Sequence, residues 1–289
     1  MVSKRSTIIG SVVAVVIIGG GLTIRQLNAD SNKSKTADRK VRTINVAHTQ
    51  DYVPYDYVEN GVSKGYEVDV LKAVDKLLPD YKFKYNPTSD EDLLVGLDSG
   101  KYDVGVKGAW WTKERSEKYI LPKQAVGASI IGITYRKADN YKTFADFAKK
   151  SGKLVPISPQ NGQYSVIQDW NKAHKNEQID LKAADQFKSG DAYNWVLEGR
   201  YDAYFDVKVN YQNSVEKSDG AYHSAADKLA YTPYKGIKTY PIISRNNKDN
   251  SHFAKEYDQA IKKLQKNGTL SKLSQKYFKE NVWDFVGDK

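Results

Sequence analysis

Between Tyr102 and Arg115 the chain reads Tyr-Asp-Val-Gly-Val-Lys-Gly-Ala-Trp-Trp-Thr-Lys-Glu-Arg. The pattern predicts the end of a strand, a glycine-containing loop carrying Trp110 and Trp111, and a helix that Thr112 can cap, with Arg115 at its third position. A cation in a first helical turn opposes the helix dipole by ~0.3–1 kcal/mol, whereas Glu114 beside it is favourable. A compensating anion is therefore expected. A docked carboxylate would be gripped bidentately by the guanidinium, with backbone N–H groups at the helix end as further donors. A solvated arginine, or one paired with Glu117 or Asp103, fits the same spacing.

Other chemistries find little support. His48, His174, His223 and His252 are far apart with no i, i+4 pairing, so no metal site is expected. The chain has no cysteine, which excludes disulfides, thiolate metal sites and a cysteine nucleophile. It lacks a GxSxG elbow, a P-loop and a GxGxxG turn, and Gly19-Gly20-Gly21 sits in an apolar N-terminal run. Carboxylates are plentiful, but spacing alone singles out no catalytic pair. This silence favours binding over catalysis.

The elements that must position Arg115 alternate. A strand over Thr43 to His48 leads to the aromatic loop Tyr52-Val53-Pro54-Tyr55-Asp56-Tyr57 and an Asn60-Gly61 turn. Val70, Leu71, Val74, Leu77 and Leu78 make a helical stripe stopped by Pro79, and Tyr81, Phe83 and Tyr85 alternate at strand period. Ser89 and Asp92 resemble a capping box for a helix ending near Gly100, and Tyr102 to Val106 is the next strand. After an apolar strand over Val126 to Tyr135, helices near 141–150, 163–175 and 191–198 alternate with strands near 154–158, 179–183 and 201–205. Phe253, Tyr257, Ile261 and Leu264, then Leu270, Leu273 and Tyr277, form C-terminal helical stripes. The expectation is α/β, two lobes of about 100 residues, each a mostly parallel sheet flanked by helices. A ligand cleft between the lobes, outside the carboxyl ends of the strands, follows.

With 289 residues, 40% of them hydrophobic, the chain can bury such cores. Residues 1–42 carry eight basic side chains against Asp30 and Asp38, net +6 of the chain's +10, so the body is only mildly basic. Its tyrosines are scattered rather than arrayed, and no nucleic-acid partner is expected. Lys4 and Arg5 precede an uncharged, mostly apolar run from Thr7 to Ile24, 18 residues long, closed by Arg25. That is intermediate between a signal peptide and a membrane span of ~20 residues. Residues 1–29 are expected to be a signal peptide or an uncleaved anchor and residues 30–41 a flexible tether. The body then lies outside the cytoplasm, attached to the plasma membrane or secreted after cleavage.

Val104 to Arg115, Tyr52-Val53-Pro54-Tyr55, Gly65-Tyr66-Glu67-Val68-Asp69-Val70, Leu97-Asp98-Ser99-Gly100-Lys101-Tyr102-Asp103 and Glu198-Gly199-Arg200-Tyr201-Asp202-Ala203 together resemble the polar-amino-acid solute-binding proteins of ABC importers (bacterial extracellular solute-binding protein family 3). The likeness runs from Thr43 to Phe278 and leans toward cystine-type members. It implies a two-lobed periplasmic-binding-protein-like fold, with residues 42–135 and 236–289 in one lobe and 136–235 in the other. It also implies a monomer without cofactor that captures a free amino acid, first of all cystine, and delivers it to an ABC permease.

Carried over residue by residue, the resemblance gives Tyr52 the packing on the ligand, Arg115 the α-carboxylate, and the Gly108 carbonyl the α-ammonium. Trp110 replaces a usual hydroxyl residue, giving aromatic area or a cation–π contact. Gly162 and Gln163 stand where a Gly-Thr pair closes over the carboxylate. Asp206 resembles the acidic partner of the ammonium, shifted by one residue, so a solvated strand-end carboxylate is its other reading. Asp90 holds a polar or cationic side-chain end, or only supports a helix N-terminus. Some relatives with this fold are dehydratases or peptidoglycan-cleaving enzymes, and a surface sensor or adhesin is a third class.

Overall fold

In the computed structural model the described residues are 41–159, 161–185 and 188–287, all within one compact unit of the chain. The expected signal or anchor segment and its tether up to residue 40 lie outside them. Among the described residues, no helix is long and apolar enough to cross a membrane.

Strand β1 (Arg42–His48) runs into a small antiparallel sheet of β2 (Asp51–Tyr52), β3 (Asp56–Glu59) and β4 (Val62–Lys64). Asn60 and Gly61, with φ of 52° and 73°, form the turn between β3 and β4, as an Asn-Gly pair favours. Next come α1 (Tyr66–Asp75), β5 (Tyr81–Pro87), α2 (Asp90–Asp98), β6 (Val104–Val106) and α3 (Lys113–Lys118). The Ser89 hydroxyl accepts from the Asp92 N–H at the start of α2, so the predicted cap forms.

The first sheet has the order β10-β6-β1-β5, where β10 is Ile242–Ile243. β1 pairs in parallel with β5 and β6, and β10 is antiparallel to β6. Opposing His48 and Val106 at the carboxyl ends of β1 and β6 sets the two following loops, at Thr49–Tyr52 and Lys107–Trp111, side by side. Strand register thereby builds one wall of a cleft.

The second sheet corrects the expectation that each sheet is mostly parallel. Its order is β8-β7-β9, with β7 (Gly127–Arg136) central and antiparallel to both β8 (Ala203–Val207) and β9 (Leu229–Thr239). The strands expected near 154–158 and 179–183 contribute only isolated parallel bridges, Leu154 to Ala203 and Ile157 to Ala183. Pro156 between the two bridging residues has no N–H to extend a ladder. Helices α4 (Phe144–Lys149), α5 (Gly162–Ala173), α6 (Ser189–Leu197) and α7 (Lys208–Tyr211) accompany this sheet.

The chain then returns. In α8 (Asn250–Lys266) the expected stripe of Phe253, Tyr257, Ile261 and Leu264 is buried, and Leu270 is buried in α9 (Thr269–Phe278). Phe278 reaches Tyr55 and Tyr66, with ring centroids 5.0 and 5.1 Å apart. The aromatic loop predicted at Tyr52 to Tyr57 is thus seated on the C-terminal helices.

Candidate ligand-binding site

The ring of Tyr52 stacks on buried Tyr55, with centroids 4.8 Å apart and planes at 21°. Gly108 passes beneath it with φ of 64°, and a Cβ there would stand 2.7 Å from Tyr52 Cε1. Only glycine satisfies both the left-handed backbone and this approach. The Gly108 N–H donates to Glu67 Oε2 at 2.9 Å, which fixes the direction of the neighbouring peptides.

Trp110 forms a bridge with Thr239 and donates from Nε1 to Ser129 Oγ at 3.3 Å. Thr112 caps α3 as predicted, its hydroxyl accepting from the Arg115 N–H at 3.1 Å. The Arg115 guanidinium donates to the Trp110 carbonyl and is in no ion pair among the described residues. Its two sequence-adjacent candidates are engaged elsewhere: Glu117 with Lys113 at 3.8 Å and Asp103 with Arg42 at 2.8 Å. Burial lowers the Arg115 pKa, partly offset by the charge of Asp90, but a guanidinium stays protonated.

The opposite wall starts at the N-terminus of α5. A Cβ on Gly162 would lie 2.4 Å from Trp110 Cε3, so this glycine allows the helix end to close on the indole face. Gln163 Nε2 donates to Asp206 Oδ1 at 3.4 Å, and Asn210 Nδ2 donates to Asp206 Oδ2 at 2.8 Å. Asp206 is 4% exposed on β8, so it is not a solvated strand-end group. Burial raises its pKa against the hydrogen bonds that favour its ionised form. Tyr52 feels the Asp206 charge: burial, then Tyr55, then Asp206 push its phenol well up. Asn213 Nδ2 also donates to the Val53 carbonyl at 2.9 Å, tying this wall to the Tyr52 loop.

The sequence-selected residues thus gather in one place. Arg115, Trp110, Gly162, Gln163 and Asp206 form a chain of contacts across the cleft, and Tyr52 and Gly108 meet beside it. Asp90, the first residue of α2, stands at the rim paired with Lys107. Among the described residues, no group of three or more potential ligands could hold a metal ion. His48 is buried between the Thr49 carbonyl at 2.6 Å and the Ser63 hydroxyl at 2.7 Å.

Sequence reasoning missed Glu67 and Asp56, both fully buried beneath this wall. Glu67 reads as an ordinary acid in a first helical turn; only the tertiary approach of Gly108 reveals its use. Burial pushes its pKa up to about 7, against the Gly108 N–H and the Thr239 hydroxyl, which favour the anion. Asp56, bonded to the Thr49 N–H at 2.8 Å, is raised well above its usual range by burial and by the Glu67 charge. A carboxyl raised in the folded state holds its proton more tightly than the unfolded chain does. Its stabilising contribution is complete below about pH 4.5 and lost as pH rises through about 7. Glu67→Gln should therefore raise the melting temperature relative to the parent at pH 8 and lose that advantage at pH 5. The expected difference is on the order of 3 kcal/mol at most. Equal melting curves for the pair at both pH values would contradict it.

Comparison with known proteins places the chain in a family. Residues 44–280 match the bacterial extracellular solute-binding proteins, family 3. The chain belongs to that family. Its members are extracytoplasmic receptors that work with ABC permeases, and it is not an enzyme family. The L-cystine-binding protein TcyJ of Bacillus subtilis (strain 168) is 31% identical over 280 residues, covering 95% of each chain. The probable amino-acid ABC transporter extracellular-binding protein ytmK of Bacillus subtilis superposes with a TM-score of 0.63 at 26% identity, covering 82% of this chain and 98% of that one. The chain is also similar to a structure described under glutathione import via GshT and the cystine ABC importer TcyBC of Streptococcus mutans. Its TM-score is 0.59 at 27% identity, with 86% and 98% of the two chains covered.

Proposed function

We propose that this chain captures a free amino acid, with L-cystine the first candidate, and delivers it unchanged to an ABC permease. One observation carries the reading. A part-buried guanidinium, Arg115, and a buried carboxylate, Asp206, border the same cleft, and neither is in an ion pair among the described residues. They are complementary to the two ends of a zwitterion. Arg115 takes the α-carboxylate, helped by the backbone at Gly162 and by Gln163. Asp206 and the Gly108 carbonyl take the α-ammonium, and Tyr52 and Trp110 cover the apolar part. Asp90 faces the side-chain end.

Binding energy needs no covalent step. A ligand of about ten to fourteen non-hydrogen atoms reaches ~1 μM at roughly −0.6 to −0.8 kcal/mol per atom, inside the ~−1.5 ceiling. The lobes are proposed as 42–135 with 236–289, and 136–235, joined through the strands β7 and β9. A ligand touching both walls favours the closed form by its differential affinity for it. Trp110 against Gly162 and Asn213 against Val53 are contacts that link the two walls. Residues 1–29 attach the monomer to the plasma membrane or are cleaved on export.

A thermal-shift screen of the common amino acids and L-cystine tests the reading. A ligand at a hundredfold excess over Kd adds ~2.7 kcal/mol, or roughly 5–10 °C for a chain of this size. If no amino acid moves the transition, the proposal fails.

A further inference from the structure

Lys279 ends α9 in the left-handed conformation, with φ of 63°, and Glu280 follows it. The Glu280 carbonyl accepts from buried Ser274 Oγ at 2.7 Å, and that oxygen accepts from the Val282 N–H at 2.9 Å. Glu280 is thereby fixed next to the turn Val282–Phe285, which packs against β7 and β9. Its carboxylate accepts from Lys208 Nζ through both oxygens, at 2.6 and 2.8 Å, and the two side chains are each 23% exposed.

With the lobes divided as proposed above, this ion pair crosses from one lobe to the other. Arg42 with Asp103, Arg136 with Asp202 and Lys276 with Asp69 each stay within one lobe. Lys208 opens α7, two residues after Asp206, and the same helix supplies Asn210 to the Asp206 carboxylate. α7 leads into a π-helical turn, Gln212–Glu216, which supplies Asn213 to the Val53 carbonyl. Such turns are rare and concentrate at functional sites. Residues 208–213 thus hold Asp206 and reach the first lobe at two points. Glu280 in turn acts electrostatically on Tyr55, on which Tyr52 stacks.

We propose that Lys208 and Glu280 form a closure latch, an ion pair made as the lobes come together and parted as they open, which sets how tightly the cleft holds any ligand without touching it. The inference rests on the proposed division into lobes and not on which solute is bound. In the open form both charges are hydrated; in the closed form each loses water and gains the other. Neutralising one member therefore strands its partner in the closed form alone. The closed fraction falls, and the affinity for every ligand falls by the same factor. Arg115 and Asp206 differ in kind, because their loss acts through contact with the ligand.

The chain has no cysteine, so Lys113→Cys on α3 and Lys172→Cys on α5, exposed positions on opposite lobes, accept a donor and acceptor dye specifically. Energy transfer in the full chain then reports closure, with and without L-cystine, and titration calorimetry reports affinity. Lys208→Gln and Glu280→Gln should each lower the closed fraction. Each should weaken L-cystine, and any second amino acid that binds, by the same factor of roughly ten. The double variant, in which neither charge is stranded, should bind no more weakly than either single one. Melting of the unliganded chain should stay near the parent's. Unchanged energy transfer in both single variants would overturn the latch, as would a lowered melting temperature with unchanged affinity. A factor that differs between ligands would make the pair a ligand contact and overturn it too. If no amino acid binds, the amino-acid reading fails alone when the single variants still lower transfer in the unliganded chain, and both fail when they do not.

Discussion

Arg115→Ala is expected to abolish the ligand-induced thermal shift while the unliganded protein melts close to the parent. The guanidinium meets a protein carbonyl, Trp110, and no carboxylate among the described residues, so its remaining donors are free for a ligand anion. Removing it leaves the ligand carboxylate desolvated and without its cation. The cost of stranding a charge in this way is about 3–5 kcal/mol, two to three orders of magnitude in affinity. The fold tolerates the change because α3 buries none of its six residues. Arg115→Lys recovers only part of the binding, since an ammonium cannot present a planar fork to a carboxylate while also serving Trp110. An undiminished shift in the alanine variant would reject the assigned role.

Asp206→Asn is expected to weaken binding by about a hundredfold or more and to flatten its pH dependence. Burial raises the Asp206 pKa, so acidification protonates it in the empty site. An ammonium ligand must then displace that proton, and parent affinity falls as pH falls. The asparagine cannot titrate, so its weaker affinity should stay level over the same range. The unliganded variant should melt close to the parent, because removal of a buried charge offsets the loss of one of the two acceptors that Gln163 and Asn210 use. Calorimetry at several pH values checks both. A parent profile that is flat, or one that the substitution leaves sloping, would assign the ammonium to another group.

How much of this was legible in the sequence differs from residue to residue. The stripes of α1 and α8, the Ser89 and Thr112 caps and the Asn60-Gly61 turn depend on neighbours within four positions, and local patterning reveals them. β9 is harder to see: Pro233 and Gly236 interrupt its alternation, and a register shift opposite Ile131 and Gly132 lets an extra residue bulge out. The pairing of Arg115 was open at sequence level because Asp103 is near in the chain. Arg42, 61 positions away, holds that carboxylate instead. The burial of Asp206 likewise depends on Gln163, 43 residues upstream, as well as on Asn210. Glu67 carried no signal of its own, because its partner is a backbone N–H 41 positions away.

The first sheet takes its edge strand from Ile242–Ile243, and Arg42 finds one of its partners, Asn250, 208 positions downstream. The second sheet closes entirely within residues 127–239. A chain emerging from its N-terminus can therefore complete the later-made sheet while β6 still lacks β10 and α1 lacks α8 and α9. Such distant closures are slow, and the uncovered apolar surface is prone to aggregate meanwhile. Successful maturation accordingly depends on timing: the earliest-synthesised part of the molecule is among the last to be sealed.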